Sequence, residues 1–117
     1  MKGFRSLIVW QKAHHLALEV YKASESFPKP EQFAVTNQLR RAALSVPTNI
    51  AEGSGRKSKK EYAQFLNISM GSIHETEYLL EFSKDLEYIE EPLATAFFEK
   101  IEEIKSMLFV LIKNLNS

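Results

Sequence analysis

Apolar residues recur at three- and four-residue steps along four segments of the chain, and Pro, Gly and Ser separate the segments. That period belongs to amphipathic helices. In the first segment, from about Leu7 to Ser26, the stripe is Trp10, Ala13, Ala17, Val20, Tyr21 and Phe27. Pro28-Lys29-Pro30 ends it, because proline disfavours helical backbone in the residue before it. The second segment is expected to open at Pro30, where a missing N–H costs nothing, with Glu31 near the positive end of the helix dipole. Its stripe is Phe33, Val35, Leu39, Ala42, Ala43, Val46 and Ile50, and Gly53-Ser54-Gly55 stops it.

The third segment has the clearest start. Ser58-Lys59-Lys60-Glu61 has capping-box spacing: the Ser hydroxyl accepts from the Glu61 N–H, and the Glu61 carboxylate reaches back. Tyr62, Phe65, Leu66, Ser69, Met70, Ile73, Tyr78 and Leu80 then run towards Leu86. Glu91-Pro92 restarts the chain, and Leu93, Phe97, Ile101, Ile104, Leu108, Leu111 and Leu115 form the last stripe. Helices of about 20–28 residues are roughly 30–42 Å long. Short connections make sequence neighbours antiparallel, so the expected fold is all-α, an up-down-up-down four-helix bundle forming one domain over residues 1–117. No strand-type alternation, repeat, linker or low-complexity tract competes.

Pro47 lies inside the second helix, where it removes a backbone hydrogen bond and crowds the preceding turn at about 3 kcal/mol. A kink near Ala43 is expected. Beside it Gln38, Arg41, Ser45, Asn49 and Glu52 follow at steps of 3, 4, 4 and 3, which makes one polar stripe. Such a stripe suits a hydrogen-bonded network within or between subunits, or a ligand site. Glu75, after Gly71-Ser72 allows close backbone approach, is the expected partner of Arg40 or Arg41.

Composition bounds the function. The chain has 117 residues, 44% hydrophobic and 26% charged, as in ordinary globular domains. It has no cysteine, which removes disulfides, thiol nucleophiles and cysteine metal sites and suits a reducing cytosol. The N-terminal Met1-Lys2-Gly3-Phe4-Arg5 is followed by an apolar run that Gln11 and Lys12 interrupt, so neither a signal peptide nor a membrane span is expected. The location expected is cytoplasmic.

Net charge is zero, but residues 1–60 hold 11 Lys and Arg against 4 Asp and Glu, and residues 61–117 hold 4 against 11. Asymmetry of this kind marks an anion-binding face, or surfaces that attract one another. The plainer reading is that basic and acidic helices neighbour each other. Arg56, Lys57, Lys59 and Lys60 crowd the start of the third helix, where the dipole repels cations. That placement fits a bound phosphate, since helix N–H groups and basic side chains converge there; Arg40, Arg41 and Lys29 extend the patch. A charge run is otherwise a solvated face. The spacing is not that of a Walker loop. No aromatic platform alternates with the cations, so stacking on single strands is not favoured.

Catalysis finds little support. His14, His15 and His74 are scattered, His74-x-x-Glu77 reverses the order used by di-iron bundles, and His15 with Glu19 reads as a surface pair. No nucleophile or acid–base pair stands at diagnostic spacing. No metal, cofactor or enzymatic activity is expected.

Leu7, Val9-Trp10-Gln11-Lys12-Ala13, Phe27-Pro28, Glu31, Gln38-Leu39-Arg40-Arg41-Ala42-Ala43, Ser45, Asn49-Ile50-Ala51-Glu52-Gly53, Phe65-Leu66, Gly71-Ser72 and Glu75 together resemble a bacterial family. It is the four-helix-bundle proteins first noticed in intervening sequences of 23S ribosomal RNA genes, with the accessory variability protein of diversity-generating retroelements as a relative. Ala34-Val35 departs from the Gly-Leu expected after the Phe. The resemblance implies a bundle that assembles as a ring, typically a homopentamer. It also implies an association with RNA or other nucleic acid, and no enzymatic activity. Two functions follow as expectations. One is a nucleic-acid-binding oligomer that places Arg40, Arg41, Arg56, Lys57, Lys59 and Lys60 on phosphates. The other is a scaffolding ring whose opposed charge halves pair between subunits.

Overall fold

A computed structural model gives the fold of residues 3–117; Met1 and Lys2, the latter counted in the basic half, lie outside the described residues. Four helices dominate: α1 (Ile8–Ser24), α2 (Val35–Ser54), α3 (Lys59–Asp85) and α4 (Glu91–Leu115). Single 3-10 turns at Phe4–Ser6 and Lys29–Glu31 precede α1 and α2. Among the described residues there is no strand. Each helix packs on its neighbours in sequence, and α1 closes the ring against α4.

Side-chain pairs fix the directions. Lys12 meets Glu103 and Glu19 meets Lys100, so α1 and α4 run oppositely. Gln38 reaches Glu75 while Val46 receives Ser69, so α2 opposes α3. Glu77 with Lys105, and Lys84 over the Phe98 ring, do the same for α3 and α4. The result is the expected antiparallel up-down-up-down bundle, 43 Å long and 24 by 21 Å across. Leu16, Val46, Ile73, Phe97, Ile101 and Ile104 are buried at its centre, each contributing about 1.5–3 kcal/mol by leaving water.

The α2–α3 seam is built for close approach. The Ser69 hydroxyl donates across it to the Val46 carbonyl at 2.8 Å, a side-chain-to-backbone contact that needs the helices near one another. At Gly53 a Cβ would lie 2.8 Å from Phe65 Cβ and 2.9 Å from Tyr62 Cδ1. Gly53 is therefore a contact point inside α2, and the expected stop comes only at Gly55. Gly71 is the reverse: it faces outward, and a Cβ there would meet nothing within 4 Å. The close approach expected of it belongs instead to Ser72, whose hydroxyl donates to Ser45 Oγ at 2.9 Å.

Helix α2 begins at Val35, five residues after Pro30. Lys29–Glu31 make one separate turn, and Ala34, at φ −128° and ψ −107°, leaves the helical region where the chain reverses from α1. Phe33 thus falls outside the helical phase that buries Leu39 and Val46, and it is 87% exposed. Tyr21, Tyr78 and Leu93, also expected in stripes, lie at the exposed margins of their helices. Helix α2 continues unbroken through Pro47, whose ring is buried. Around it the carbonyls of Leu44, Ser45 and Val46 accept from Thr48 Oγ1, Asn49 Nδ2 and Ser69 Oγ at 2.7, 2.8 and 2.8 Å.

Candidate nucleic-acid interface

The α2–α3 turn closes one end of the bundle. Its backbone is tied down by Gly55 N–H donating to the Glu52 carbonyl and Arg56 N–H to that of Gly53, at 3.2 and 3.0 Å. Ser58 then caps α3, its Oγ accepting from the Glu61 N–H at 3.1 Å. The Glu61 carboxylate does reach back, but it takes the Ser58 hydroxyl at 3.3 Å. This short rigid turn leaves Arg56, Lys57, Lys59 and Lys60 all exposed.

None of these four makes an ion pair among the described residues, whereas Lys12, Lys84, Lys100 and Lys105 are each paired with a carboxylate. The Arg56 guanidinium rests 4.7 Å over the Phe65 ring, which limits its motion. By chain direction Arg5 and Lys113 lie at the same end. Glu52 and Glu61 are the acidic residues there. The opposite end carries Glu25, Glu31, Glu81, Asp85, Glu87, Glu90 and Glu91 against Lys22, Lys29, Lys84 and Arg40, whose guanidinium bonds to Tyr21 and Ser24. Charge is thus unevenly spread along the long axis, with cations in excess around the α2–α3 turn and carboxylates in excess at the other end. Unpaired cations converging on a helix N-terminus can hold phosphates.

The two arginines of α2 part company. Two residues of helix turn the chain by about 200°, so Arg40 faces α1 while Gln38 and Arg41 face α3. Arg40 Nε donates to Ser24 Oγ at 2.7 Å and Nη2 to the Tyr21 carbonyl at 3.0 Å, with the guanidinium 4.8 Å over the Tyr21 ring. Two of its five N–H donors are engaged within the subunit, and they fix where the guanidinium sits. The bond to Glu75, expected from Arg40 or Arg41, comes from Gln38 Nε2 at 3.2 Å.

The polar stripe divides likewise. Asn49 Nδ2 donates to Ser45 Oγ and to its carbonyl, and Ser72 joins the same hydroxyl, so Ser45, Asn49 and Ser72 form one network between α2 and α3. Gln38, Arg41, Ser45, Ser72 and Glu75 line an open groove of about 500 Å³ beside it, with Phe33, Ala34, Asn37 and Ala42. Glu52 is exposed and stands apart from both. Sequence reading placed Phe33 in the core and passed over Asn37; only the position of the α2 start brings them to the groove.

Elsewhere, His14 stacks on Trp10 with centroids 4.8 Å apart, and His15 is exposed while Glu19 is taken by Lys100. Among the described residues no cluster of three or more His, Asp or Glu is arranged to hold a metal ion. No described helix is long and apolar enough to cross a membrane.

The family model of the 23S rRNA-intervening sequence protein matches residues 5–110. Among solved structures, the chain is similar to a protein of unknown function from the S23 ribosomal protein family of Bacteroides thetaiotaomicron. The two are 28% identical, the match covers 91% of this chain and 99% of that one, and the TM-score is 0.81. No curated protein matches.

Proposed function

Because the chain belongs to the 23S rRNA-intervening sequence protein family, we propose that it is a non-enzymatic, self-associating bundle that binds nucleic acid, RNA foremost, through its basic end. The family's name ties it to ribosomal RNA, and its resemblance to ring-forming relatives makes a homopentamer the assembly to test. A bacterial cytoplasm is the location proposed, in keeping with the absence of cysteine.

The observation that carries the reading is the set Arg56, Lys57, Lys59 and Lys60: exposed, free of ion pairs among the described residues, and held on one capped turn. Arg41 adds a cation on the α2–α3 face, and Arg40, committed to Tyr21 and Ser24, adds little. Contacts to phosphate are independent of base sequence and weaken with salt. A ring would bring several basic ends together, which offsets the modest charge of one chain.

The test is fluorescence anisotropy of the purified protein against a ribosomal-RNA hairpin, duplex DNA and a single strand over a salt series. Affinity should fall linearly in log salt, with a slope of about −0.7 to −0.9 per phosphate contacted. Lys59→Glu with Lys60→Glu should abolish binding, or leave a slope shallower by about 1.4 or more. Unchanged affinity in that variant would remove the turn from the interface.

A second reading, a scaffolding ring without nucleic-acid affinity, has its own support. Ile68, Tyr78 and Phe82 are exposed along α3 in phase with Gly71, a row that only Glu75 makes polar. Exposed apolar side chains on one helix face are of the kind helices use to meet one another. It predicts assembly that persists in a protein unable to bind any of the three probes. Light scattering showing a monomer at micromolar concentration would exclude it.

A further inference from the structure

We infer that the groove between α2 and α3 is a pocket for one unpaired nucleotide, with Phe33 stacking on the base and Arg41 holding the phosphate. The inference deepens the nucleic-acid reading and rests on it for the strand-bound form of the ligand.

A single exposed aromatic needs no special explanation. Phe33 differs in its surroundings. It is 87% exposed, stacks on no other ring among the described residues, and lines a groove whose other residues, Ala34 and Ala42 apart, are polar. The groove, about 500 Å³, lies within the roughly 300–1,000 Å³ of small-ligand sites. Arg41 makes no ion pair among the described residues, and Asn37 offers a free amide. Gln38 is already oriented, because its Nε2 donates to Glu75 at 3.2 Å. That bond points the Gln38 carbonyl elsewhere and leaves the second Glu75 oxygen as an acceptor.

Proteins read unpaired RNA bases by this combination: an aromatic face for stacking, and amides or carboxylates on the base edge. Amides of Asn and Gln pair with adenine, and a carboxylate accepts from an exocyclic amine, so an amino base suits the groove best. Arg41 supplies the charge for the attached phosphate. The groove is separate from the basic turn, since the 13 residues of α2 from Ala42 to Ser54 span about 20 Å. The two regions can therefore be altered independently.

The same chemistry is offered by a free nucleotide and by an unpaired nucleotide in a strand. Anisotropy of labelled oligo(A), alone and annealed to oligo(U), would be measured for the wild type, Phe33→Ala, Phe33→Trp and Arg41→Gln. A titration with AMP, followed through the backbone amide signals of Asn37, Gln38 and Ser72, gives the second arm. Phe33→Ala should weaken single-strand binding about five-fold or more while leaving the duplex unchanged. Phe33→Trp should retain the wild-type affinity, and Arg41→Gln should weaken it. Phe33 is exposed, so its variants keep the wild-type melting temperature. Movement of those amides with AMP assigns the free nucleotide as a ligand, and a strand effect alone assigns the unpaired strand. A Phe33→Ala protein that binds the strand normally and whose wild-type parent ignores AMP overturns the pocket. An equal loss on the duplex overturns it too. Failure of the basic end is read separately: reversing Lys59 and Lys60 affects single strand and duplex alike and leaves the AMP response intact.

Discussion

Gly53 and Gly71 both sit inside helices, and their surroundings call for opposite substitutions. At Gly53 an added methyl meets Phe65 Cβ and the Tyr62 ring below 3.0 Å, and the Tyr62 carbonyl at 3.3 Å. A Cβ and a backbone oxygen cannot swing aside, so Gly53→Ala should destabilise by about 1–3 kcal/mol. At Gly71 the methyl enters open space, and Gly71→Ala should stabilise by about 0.5–1 kcal/mol through the helix propensity of alanine. Urea midpoints of the two variants check this, and a shift in the same direction for both would refute the assignment. Thr36 is a third case: its Oγ1 is buried without a hydrogen-bond partner among the described residues. An unsatisfied buried hydroxyl costs about 1–3 kcal/mol, so Thr36→Val should raise the melting temperature. A lower one would mean that an ordered water serves that oxygen. None of the three was legible in the sequence. Gly53 reads as a helix stop and Gly71 as a point of close approach, and nothing marks Thr36, until the neighbouring helix is in place.

At the scale of the helix the sequence carried much more. Leu39, Ala42, Ala43, Val46 and Ile50 are buried as their spacing requires, because one face of a helix must leave water whatever it packs on. Errors gathered at stripe edges and helix starts, where Tyr21, Tyr78, Leu93 and Phe33 sit, since periodicity says which residues share a face but not where the face ends. Cap chemistry behaved in the same uneven way. The Ser58 cap was readable from Ser58 and Glu61, and Ser58→Ala should cost about 1 kcal/mol. The end of α3 had no such signal. Glu87 takes φ 64° there, with Tyr88 N–H donating to the Ser83 carbonyl and Glu87 N–H to that of Lys84, at 2.8 and 2.9 Å. That is the Schellman arrangement, in which glycine usually occupies the left-handed position. Glu87→Gly should therefore stabilise by about 1 kcal/mol, the strain of a side chain in that region. Thermal melts showing a loss would mean that the carboxylate contributes more than its backbone costs.

Across the whole molecule, the contacts that join helices are sensitive to alkali. Tyr88, after α3, donates its hydroxyl to Glu31 of the α1–α2 connection at 2.6 Å, which holds its pKa above the ordinary tyrosine value, with burial adding to the rise. Burial alone pulls the Lys105 ammonium down, but hydrogen bonds to Glu77 and Glu102 outweigh it and leave the group raised. Burial also raises Tyr62, which packs against Gly53 in the α2–α3 seam. All three shifts are upward, so the sign is common to them. Each contribution is complete below the unfolded pKa, near 10, and is lost as pH rises from there through the folded value. The bundle should hold its stability to about pH 10 and then lose it steeply. Tyr88→Phe and Lys105→Met should melt below the wild type at pH 8, and the gap should narrow as pH rises above about 10, as the wild type loses the same interactions. A gap that stayed constant with pH would mean that these side chains act by packing alone. Arg56, Lys57, Lys59 and Lys60 stand outside these pairings, since none of the four makes an ion pair among the described residues.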